Sequence, residues 1–247
     1  MENINNTYFQ GYYKDIWKNI IPEELTAKEA DFIQQYFKLA PGDRVLDLMC
    51  GYGRHAIALG KKGIEVTAVD NLDDYIQELN AVISEESLPV RAFKADVLKF
   101  EAEGLYNLAV CMGNSLCFFD RNDTISILKM IARHLNPGGH LFVNTWMLAE
   151  IVFKDFREKS WSNIRGTKYI TESKYYIQPS RIETDHLIIT PEGQQETKKA
   201  IDYIYSISDT ELILSEAGFA LDEIYSVPGR RKFTLGDPRA YIIAHKI

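Results

Sequence analysis

The sequence predicts an α/β fold built around one mostly parallel sheet. Between residues 44 and 146, short apolar runs alternate with amphipathic stretches, an order that is typical of successive βαβ units. Further along the chain, apolar residues recur at every second position, which indicates an antiparallel hairpin or small sheet. Because the α/β alternation resumes after that segment, we interpret the chain as one sheet with an insertion rather than as two tandem domains.

The first part of the chain contains most of the predicted sheet. A helix over residues 22–39 precedes it and ends before Pro41-Gly42. Helices are predicted between the strands because apolar residues recur every three or four positions, and the last helix is stopped by Pro137-Gly138-Gly139. The predicted strands cover residues 45–48, 65–69, 90–94, 108–112 and 140–146, and the predicted helices cover residues 54–62, 72–86 and 124–135.

The second part begins with strands that alternate apolar and polar residues. These strands cover residues 169–176, 181–190 and 197–207, with a turn at Pro191-Glu192-Gly193. A capping box from Ser208 to Glu211 then predicts the start of a helix that ends at Gly218. Two final strands follow, at 222–227 and 239–245. The predicted organisation is a helical cap over residues 1–43, a sheet domain over 44–150 and 206–247, and an inserted antiparallel platform over 165–205.

Composition excludes several classes of protein. The chain has 247 residues, 46% of them hydrophobic and 26% charged, which are values of an ordinary globular protein. The 35 acidic residues outnumber the 28 Lys and Arg, and the net charge of -7 disfavours nucleic acid as a partner.

The cysteines, the histidines and the lengths of the apolar runs indicate the cellular location of the protein and whether it binds a metal. Three cysteines (Cys50, Cys111 and Cys117) are too few for a disulfide framework, and the five histidines are scattered, so we expect no metal. We find no signal peptide pattern and no apolar run near the ~20 residues that span a bilayer. A soluble protein in the reducing cytoplasm, without a membrane contact, is the expectation.

The first strand-to-helix turn carries the strongest motif. Gly51 and Gly53 lie where the backbone can approach a ligand, and the helix that follows offers unpaired N–H groups at its positive end. Asp70 ends the second strand, a position from which an acid accepts hydrogen bonds from both ribose hydroxyls. Together the turn and the acid predict an adenine nucleotide cofactor. Read through Ala56, the turn also fits the dinucleotide pattern G-x-G-x-x-G/A, so an NAD(P)-dependent oxidoreductase stays an alternative.

Four further features point to a different adenine cofactor. They are Asp47 before the turn, Ala95-Asp96-Val97 after the third strand, residues 112–116 after the fourth, and Asn136-Pro137-Gly138-Gly139 before the fifth. With the turn, these features resemble the class I S-adenosylmethionine-dependent methyltransferases, whose pattern is D-x-G-C-G-x-G-R, then an acid, then A-D, then P-G-G. The resemblance covers residues 44–146 strongly and 206–247 weakly.

The resemblance implies a Rossmann-like sheet whose last strand is antiparallel, and S-adenosyl-L-methionine as the cofactor. Residues 113–116 and the insertion are similar to small-molecule N- and O-methyltransferases, including glycine-type and amino-sugar-type enzymes. The implied reaction is an in-line methyl transfer to a nitrogen or oxygen of a small molecule, with no covalent intermediate. One departure is Met49, which replaces the first loop glycine of the family. It keeps a non-catalytic cofactor-binding module on the same fold open as a further alternative.

The resemblance also implies roles for individual residues. The loop from Asp47 to Gly53 would hold the methionine part, Asp70 the ribose, and the residues that follow the second and third strands the adenine. The segment after the fourth strand would face the sulfonium and the acceptor, and an N-terminal tyrosine would cover the cofactor. The implied cofactor-binding residues are Tyr13, Asp47, Met49, Gly51, Gly53, Asp70, Asn71, Leu72, Asp96, Val97, Met112, Asn114 and Ser115.

Several side chains keep two interpretations each. Arg54 would reach the cofactor carboxylate or face solvent, and His55 is structural or a base, so no catalytic residue is assigned. The aromatic residues Tyr8, Phe9, Tyr12, Tyr13 and Trp17 would form a lid or pack against the sheet. The side chains of the insertion would line a substrate pocket or a homodimer contact: Tyr169, Tyr175, Tyr176, His186, Tyr203 and Tyr205. Cys111 and Cys117 lack the motifs of nucleobase methylation, which favours a small-molecule acceptor.

Overall fold

The structure is a computed structural model that describes residues 3–247. Its α-helices are α1 Tyr12–Ile20, α2 Glu23–Tyr36, α3 Arg54–Gly60, α4 Asp73–Glu86, α5 Arg121–His134, α6 Ala149–Asp155 and α7 Ile207–Glu216. Two short 3-10 turns cover Ile4–Thr7 and Ser115–Phe118. The strands are β1 Arg44–Leu48, β2 Glu65–Asp70, β3 Val90–Lys94, β4 Tyr106–Cys111, β5 Leu135–Thr145, β6 Lys159–Ile164, β7 Thr167–Tyr176, β8 Arg181–Ile189, β9 Gln195–Tyr203, β10 Phe219–Val227, β11 Arg231–Lys232 and β12 Ala240–Lys246.

The larger sheet confirms the predicted fold class. Its strand order is β11-β10-β12-β5-β4-β1-β2-β3, and the five strands from β5 to β3 pair in parallel. Strand β12 enters antiparallel between β5 and β10. The chain runs outward from β1 to β3 and then returns to β4 on the other side of β1. Open sheets of this kind place their ligands at such a reversal, outside the carboxyl ends of the strands.

The central strand is buried on both faces. Val45, Leu46 and Leu48 of β1 are at most 1% exposed. Helices α2, α3 and α4 contribute to the core cluster on one side of the sheet, and α5 and α7 contribute to the cluster on the other side. Burial on both faces requires a continuous apolar run instead of an alternating one, which is why these strands were visible in the sequence.

The inserted sheet is antiparallel, with the strand order β6-β7-β8-β9. It begins at Lys159, earlier than the predicted 165, because β6 pairs with β7 along its whole length. Strand β6 had no sequence signal, since nearly all of its side chains are exposed and none marks a buried face. The opposite edge, β9, is covered by the N-terminal segment: Asn5 accepts from the Ile201 N–H (2.9 Å) and donates to its carbonyl (2.8 Å).

Helix α7 begins two residues before the predicted capping box. Ser206 is the N-cap: its hydroxyl accepts from the Asp209 N–H at 3.0 Å, and the Asp209 carboxylate accepts from the Ser206 N–H at 3.0 Å. The prediction of Ser208 and Glu211 is therefore wrong. Strand pairing fixes the start of the helix, because a bridge between Leu148 and Tyr205 holds the chain extended up to Ser206.

No helix within residues 3–247 is long and apolar enough to cross a membrane.

Two serine variants measure this cap. Ser206→Ala removes both hydrogen bonds of the Ser206 hydroxyl with Asp209 and leaves the backbone N–H of residue 206 bonded to the Asp209 carboxylate, so we expect the free energy of unfolding to fall by about 1 kcal/mol (range ~0.5–2). Ser208→Ala, at the exposed residue in the first turn, is the matched control and changes stability by less than ~0.5 kcal/mol. Urea unfolding of both variants provides the measurement. A larger loss in the Ser208 variant would contradict the assignment of Ser206 as the cap.

Candidate functional site

A cavity lies at the carboxyl ends of β1 to β4, where the strand order reverses. Its volume is about 930 Å³, counting the open mouth. Most of the side chains predicted for the cofactor site line it: Asp47, Met49, Gly51, Asp70, Asn71, Leu72, Asp96, Val97, Met112 and Ser115. The topology thus brings together residues that are far apart in the sequence.

Two predicted residues act on the backbone beside the cavity instead of lining it. Gly53 precedes α3 with φ +78°, and a Cβ there would collide with the side chain of Leu79. Asn114 is 3% exposed, and its amide oxygen accepts from the Thr145 hydroxyl (2.8 Å) and from the Trp146 N–H (3.0 Å). Gly53 therefore allows the tight turn, and Asn114 joins the ends of β4 and β5.

Met49 adopts a left-handed backbone conformation, which is more usual for glycine. Its φ is +56°, close to the +58° of Gly51. The left-handed conformation costs a residue with a side chain roughly 1–2 kcal/mol, and such strain persists only where the surroundings enforce it. The turn therefore holds Met49 in a conformation that glycine adopts without strain, and Met49 adds a thioether side chain to the cavity wall.

Asp70 is held by backbone donors on both sides. One carboxylate oxygen accepts from the Gly51 N–H at 2.8 Å, and the other accepts from the Leu72 N–H at 2.9 Å. The side chain is only 8% exposed, and burial raises its pKa. Each oxygen keeps a further lone pair, so a fixed carboxylate can accept two hydrogen bonds from a ligand in the cavity.

Asp47 is the most buried charged group of the cavity. It is 1% exposed, and within residues 3–247 its Oδ2 atom has no hydrogen-bond partner. Burial raises the pKa of Asp47 to about 7, an effect that the charge of Arg54 reduces and the charge of Asp70 increases. Since an unpaired buried carboxylate is costly, this position suits a positively charged ligand group.

A buried carboxylate that sequence reasoning missed organises Arg54 and His55. Glu29 of α2 is 2% exposed, and its Oε2 accepts from Arg54 Nη1 (2.7 Å) and from His55 Nε2 (2.9 Å). Its Oε1 accepts from the Tyr241 hydroxyl at 2.7 Å. Burial and the charge of Arg54 lower the pKa of His55, and the hydrogen bond and charge of Glu29 oppose this shift. These contacts favour the structural interpretation of His55.

The N-terminal segment covers the cavity, but the predicted aromatic lid divides into two groups. Phe9 and Trp17 line the cavity, and Asn71 donates to the Asn6 carbonyl at 3.0 Å. Tyr13 does not line the cavity; it packs beside Tyr8 with ring centroids 4.3 Å apart. Other lining residues without a sequence signal are Asn3, Asn5, Asn6, Tyr52, Val69, Tyr75, Phe118 and Phe119.

The aromatic side chains of the inserted sheet also lie outside this cavity. Tyr169 bonds the Tyr8 hydroxyl at 3.0 Å and His186 Nδ1 at 2.6 Å, which attaches the N-terminal segment to the sheet. Tyr203 and Tyr205 line a second, largely apolar pocket of about 550 Å³ beside α5 and α7. The insertion therefore supports the cover of the cavity rather than its wall.

Comparison with known proteins identifies the region that carries the site. Residues 45–139 match the family model of a methyltransferase domain. The ubiquinone biosynthesis O-methyltransferase of Xanthomonas campestris pv. campestris is 31% identical over 107 residues, which are 42% of this chain and 44% of the relative. The glycine/sarcosine N-methyltransferase of Halorhodospira halochloris is 26% identical over 147 residues, 58% of this chain and 54% of the relative. The chain thus spans about half the length of the curated relatives it matches.

Solved structures share the fold over nearly the whole chain. The CcbJ methyltransferase from Streptomyces caelestis has a TM-score of 0.81 at 18% identity and covers 94% of this chain and 95% of its own. CalS10, an amino pentose methyltransferase from Micromonospora echinaspora solved with S-adenosylmethionine bound, has a TM-score of 0.72 at 15% identity, with 96% and 98% covered. At this identity the likeness shows the fold, including the inserted sheet.

The hydrogen bonds of Glu29 with Arg54, His55 and Tyr241 predict that the fold loses stability at low pH. Burial alone would raise the pKa of Glu29, but the bonds and charges of His55, Arg54 and Tyr241 lower it from 4.5 to about 2. A lowered pKa stabilises the fold fully above pH 4.5, and the contribution, on the order of 3 kcal/mol, disappears as the pH falls toward 2. Urea unfolding between pH 7 and pH 3 should show the advantage of wild type over Glu29→Gln shrinking below pH 4.5. The exposed Glu24→Gln variant is the control and should follow wild type; a constant difference between wild type and Glu29→Gln would refute the lowered pKa.

Proposed function

Since residues 45–139 are a methyltransferase domain on a class I S-adenosylmethionine-dependent methyltransferase fold, we propose that this protein moves a methyl group from S-adenosylmethionine to a nitrogen or oxygen of a small molecule. The observation that carries the proposal is the row of acids at the carboxyl ends of β1, β2 and β3. Asp47, Asp70 and Asp96 line one cavity in that order. The cofactor offers a matching row of donors: the methionyl ammonium, the ribose hydroxyls and the adenine amino group.

The same row argues against a dinucleotide. A G-x-G turn that binds NAD(P) holds a doubly charged pyrophosphate at the helix N-terminus. Here the turn adjoins the Asp47 carboxylate, whose Oδ2 has no hydrogen-bond partner in the described part of the chain. This carboxylate would repel a pyrophosphate but attract an ammonium group. The antiparallel β12 also differs from the parallel 3-2-1-4-5-6 order of dinucleotide-binding sheets.

In the proposed mechanism, the protein mainly aligns the reactants. S-adenosylmethionine supplies an already activated methyl group. Asp70 would hold the ribose, Asp47 and the turn would hold the amino-acid end, and Phe9 and Trp17 would exclude water from the cavity. Alignment of two reactants can contribute ~7–11 kcal/mol, so the proposal needs no nucleophilic side chain.

The acceptor end of the cavity supports a small organic molecule. Met112, Ser115 and Phe118 lie there beside the N-terminal aromatic residues, and the Ser115 hydroxyl donates to the Met112 carbonyl at 3.0 Å. Relatives named for oxygen and for nitrogen acceptors both match, so the choice between the two atoms stays open. A cytoplasmic location and a homodimer contact through the inserted sheet remain part of the proposal.

Cofactor binding tests the proposal directly. Calorimetry should detect binding of S-adenosylhomocysteine and no binding of NADH. Asp70→Ala should weaken the binding of S-adenosylhomocysteine by about 1–3 kcal/mol, or roughly 5- to 150-fold, because the ribose hydroxyls lose their acceptor. Asp74→Ala, at the exposed residue in the first turn of α4, should leave the affinity unchanged.

Transfer of labelled methyl groups from S-adenosylmethionine to a panel of amines, phenols and alcohols then tests catalysis. Transfer to a member of the panel supports an enzyme. Binding of NADH in place of S-adenosylhomocysteine would contradict the proposal, and tight cofactor binding without transfer to any acceptor would favour the non-catalytic module.

Asp47 predicts a pH dependence of cofactor affinity. With a pKa of about 7, Asp47 is mostly protonated at pH 5.5, whereas the cofactor ammonium requires the carboxylate. Affinity for S-adenosylhomocysteine should therefore rise roughly tenfold or more between pH 5.5 and pH 7.5, with release of a proton on binding at the acid end. Calorimetry in buffers of different ionisation enthalpy measures both effects. Asp47→Asn should abolish the pH dependence and Asp74→Asn should keep it; a flat profile for wild type would remove Asp47 from this role.

A further inference from the structure

The guanidinium of Arg54 lies at the cavity with some of its N–H donors not hydrogen-bonded within residues 3–247. Its side chain is 10% exposed and lines the cavity together with Asp47. Nη1 donates to Glu29 (2.7 Å) and to the Thr26 hydroxyl (2.8 Å), both on α2. Within residues 3–247 every hydrogen bond of this guanidinium uses Nη1, so the Nε and Nη2 donors are left for a ligand. A guanidinium held by one nitrogen keeps a planar fork that matches a carboxylate.

The cavity lining therefore contains two groups of opposite charge, Asp47 and Arg54, and within residues 3–247 the ion pair of Arg54 is with Glu29 instead of Asp47. Asp47 has an unpartnered oxygen, and the charge of Arg54 already acts on it. Two such groups attract each other strongly in a buried site, and a direct ion pair would satisfy both. What opposes the pair is Glu29, which is 2% exposed. Its Oε2, the oxygen that bonds Arg54, also accepts from His55, and its Oε1 accepts from Tyr241.

We infer that Glu29 is a positioning residue that holds the Arg54 guanidinium away from the Asp47 carboxylate, and so keeps open a receptor for a zwitterionic α-amino acid group. In this receptor Arg54 takes the carboxylate and Asp47 takes the ammonium. The inference rests on the proposed function, in which the zwitterion is the methionyl end of the cofactor. It makes helix α2 a part of the cofactor site, although Glu29 itself lies outside the cavity wall.

Two ligands with the same nucleoside separate this role from a general one. S-adenosylhomocysteine carries the amino acid group, whereas 5′-methylthioadenosine lacks it. Glu29→Gln should weaken the binding of S-adenosylhomocysteine about tenfold or more, because the released Arg54 then pairs with Asp47. The same variant should change the affinity for 5′-methylthioadenosine by less than ~2-fold. Calorimetry with both ligands gives the ratio of the two affinities, which a loss of folded protein would not change.

Further variants fix the cause of the effect. Thr26→Val removes the second anchor of Nη1 with little change in shape, and should show a smaller loss with the same selectivity even where Glu29→Gln folds poorly. Adding Asp47→Asn to Glu29→Gln removes the competing partner, so Glu29→Gln should cost less affinity in that background than in wild type. Glu24→Gln, at the exposed residue of the same helix, is the matched control and should leave both affinities unchanged.

The outcomes are distinguishable. Equal losses for both ligands, or an undiminished loss in the Asp47→Asn background, would overturn the inference and leave the proposed function intact. An unchanged affinity for S-adenosylhomocysteine in both Glu29→Gln and Thr26→Val would overturn it as well. If wild type bound neither ligand, the proposed function would fail and the inference would fail with it.

Discussion

The structure of the site depends on one constraint, a buried carboxylate at the end of the central strand whose Oδ2 atom has no hydrogen-bond partner within residues 3–247. Asp47 is buried because β1 is covered on both faces, and its position next to the turn places it in the lining of the cavity. An uncompensated charge of this kind is tolerated only where the surroundings cannot relax around it. The left-handed turn, the fixed carboxylate of Asp70 and the anchored Arg54 supply that rigidity.

The larger sheet and its site could be predicted because each depends on short stretches of sequence. Buried parallel strands require apolar runs, and a cofactor at the strand ends requires polar residues directly after those runs. Asp70 illustrates this, since it ends β2 and bonds Gly51, the first glycine of the neighbouring turn. Met49 was visible as a departure from the family pattern, but only the structure shows that it adopts the left-handed conformation, with a φ of +56°.

What the sequence left out depends on contacts between distant segments. Strand β6 forms because β7 pairs with it, and α7 starts directly after the bridge between Leu148 and Tyr205 ends. The hydrogen-bond partners of Glu29 lie at sequence separations of 25, 26 and 212 positions, so no local sequence pattern predicts these contacts. One signal was present: Glu29 lies four residues after Leu25 and four before Ile33, which puts a carboxylate on the apolar face of α2. A charge in that position requires buried partners elsewhere in the fold.

The contact of Asn5 with β9 has a consequence for how the cavity exchanges its contents. Asn5 satisfies backbone groups of an edge strand and also donates to the Phe118 carbonyl at 3.2 Å, next to the cavity wall. A bare edge is a template on which other chains pair and aggregate. Any movement of the N-terminal segment that admits a ligand also uncovers that edge. Fast ligand exchange and protection from self-association therefore make opposite demands on the same few residues, and a ligand that holds the segment closed also keeps the protein dispersed.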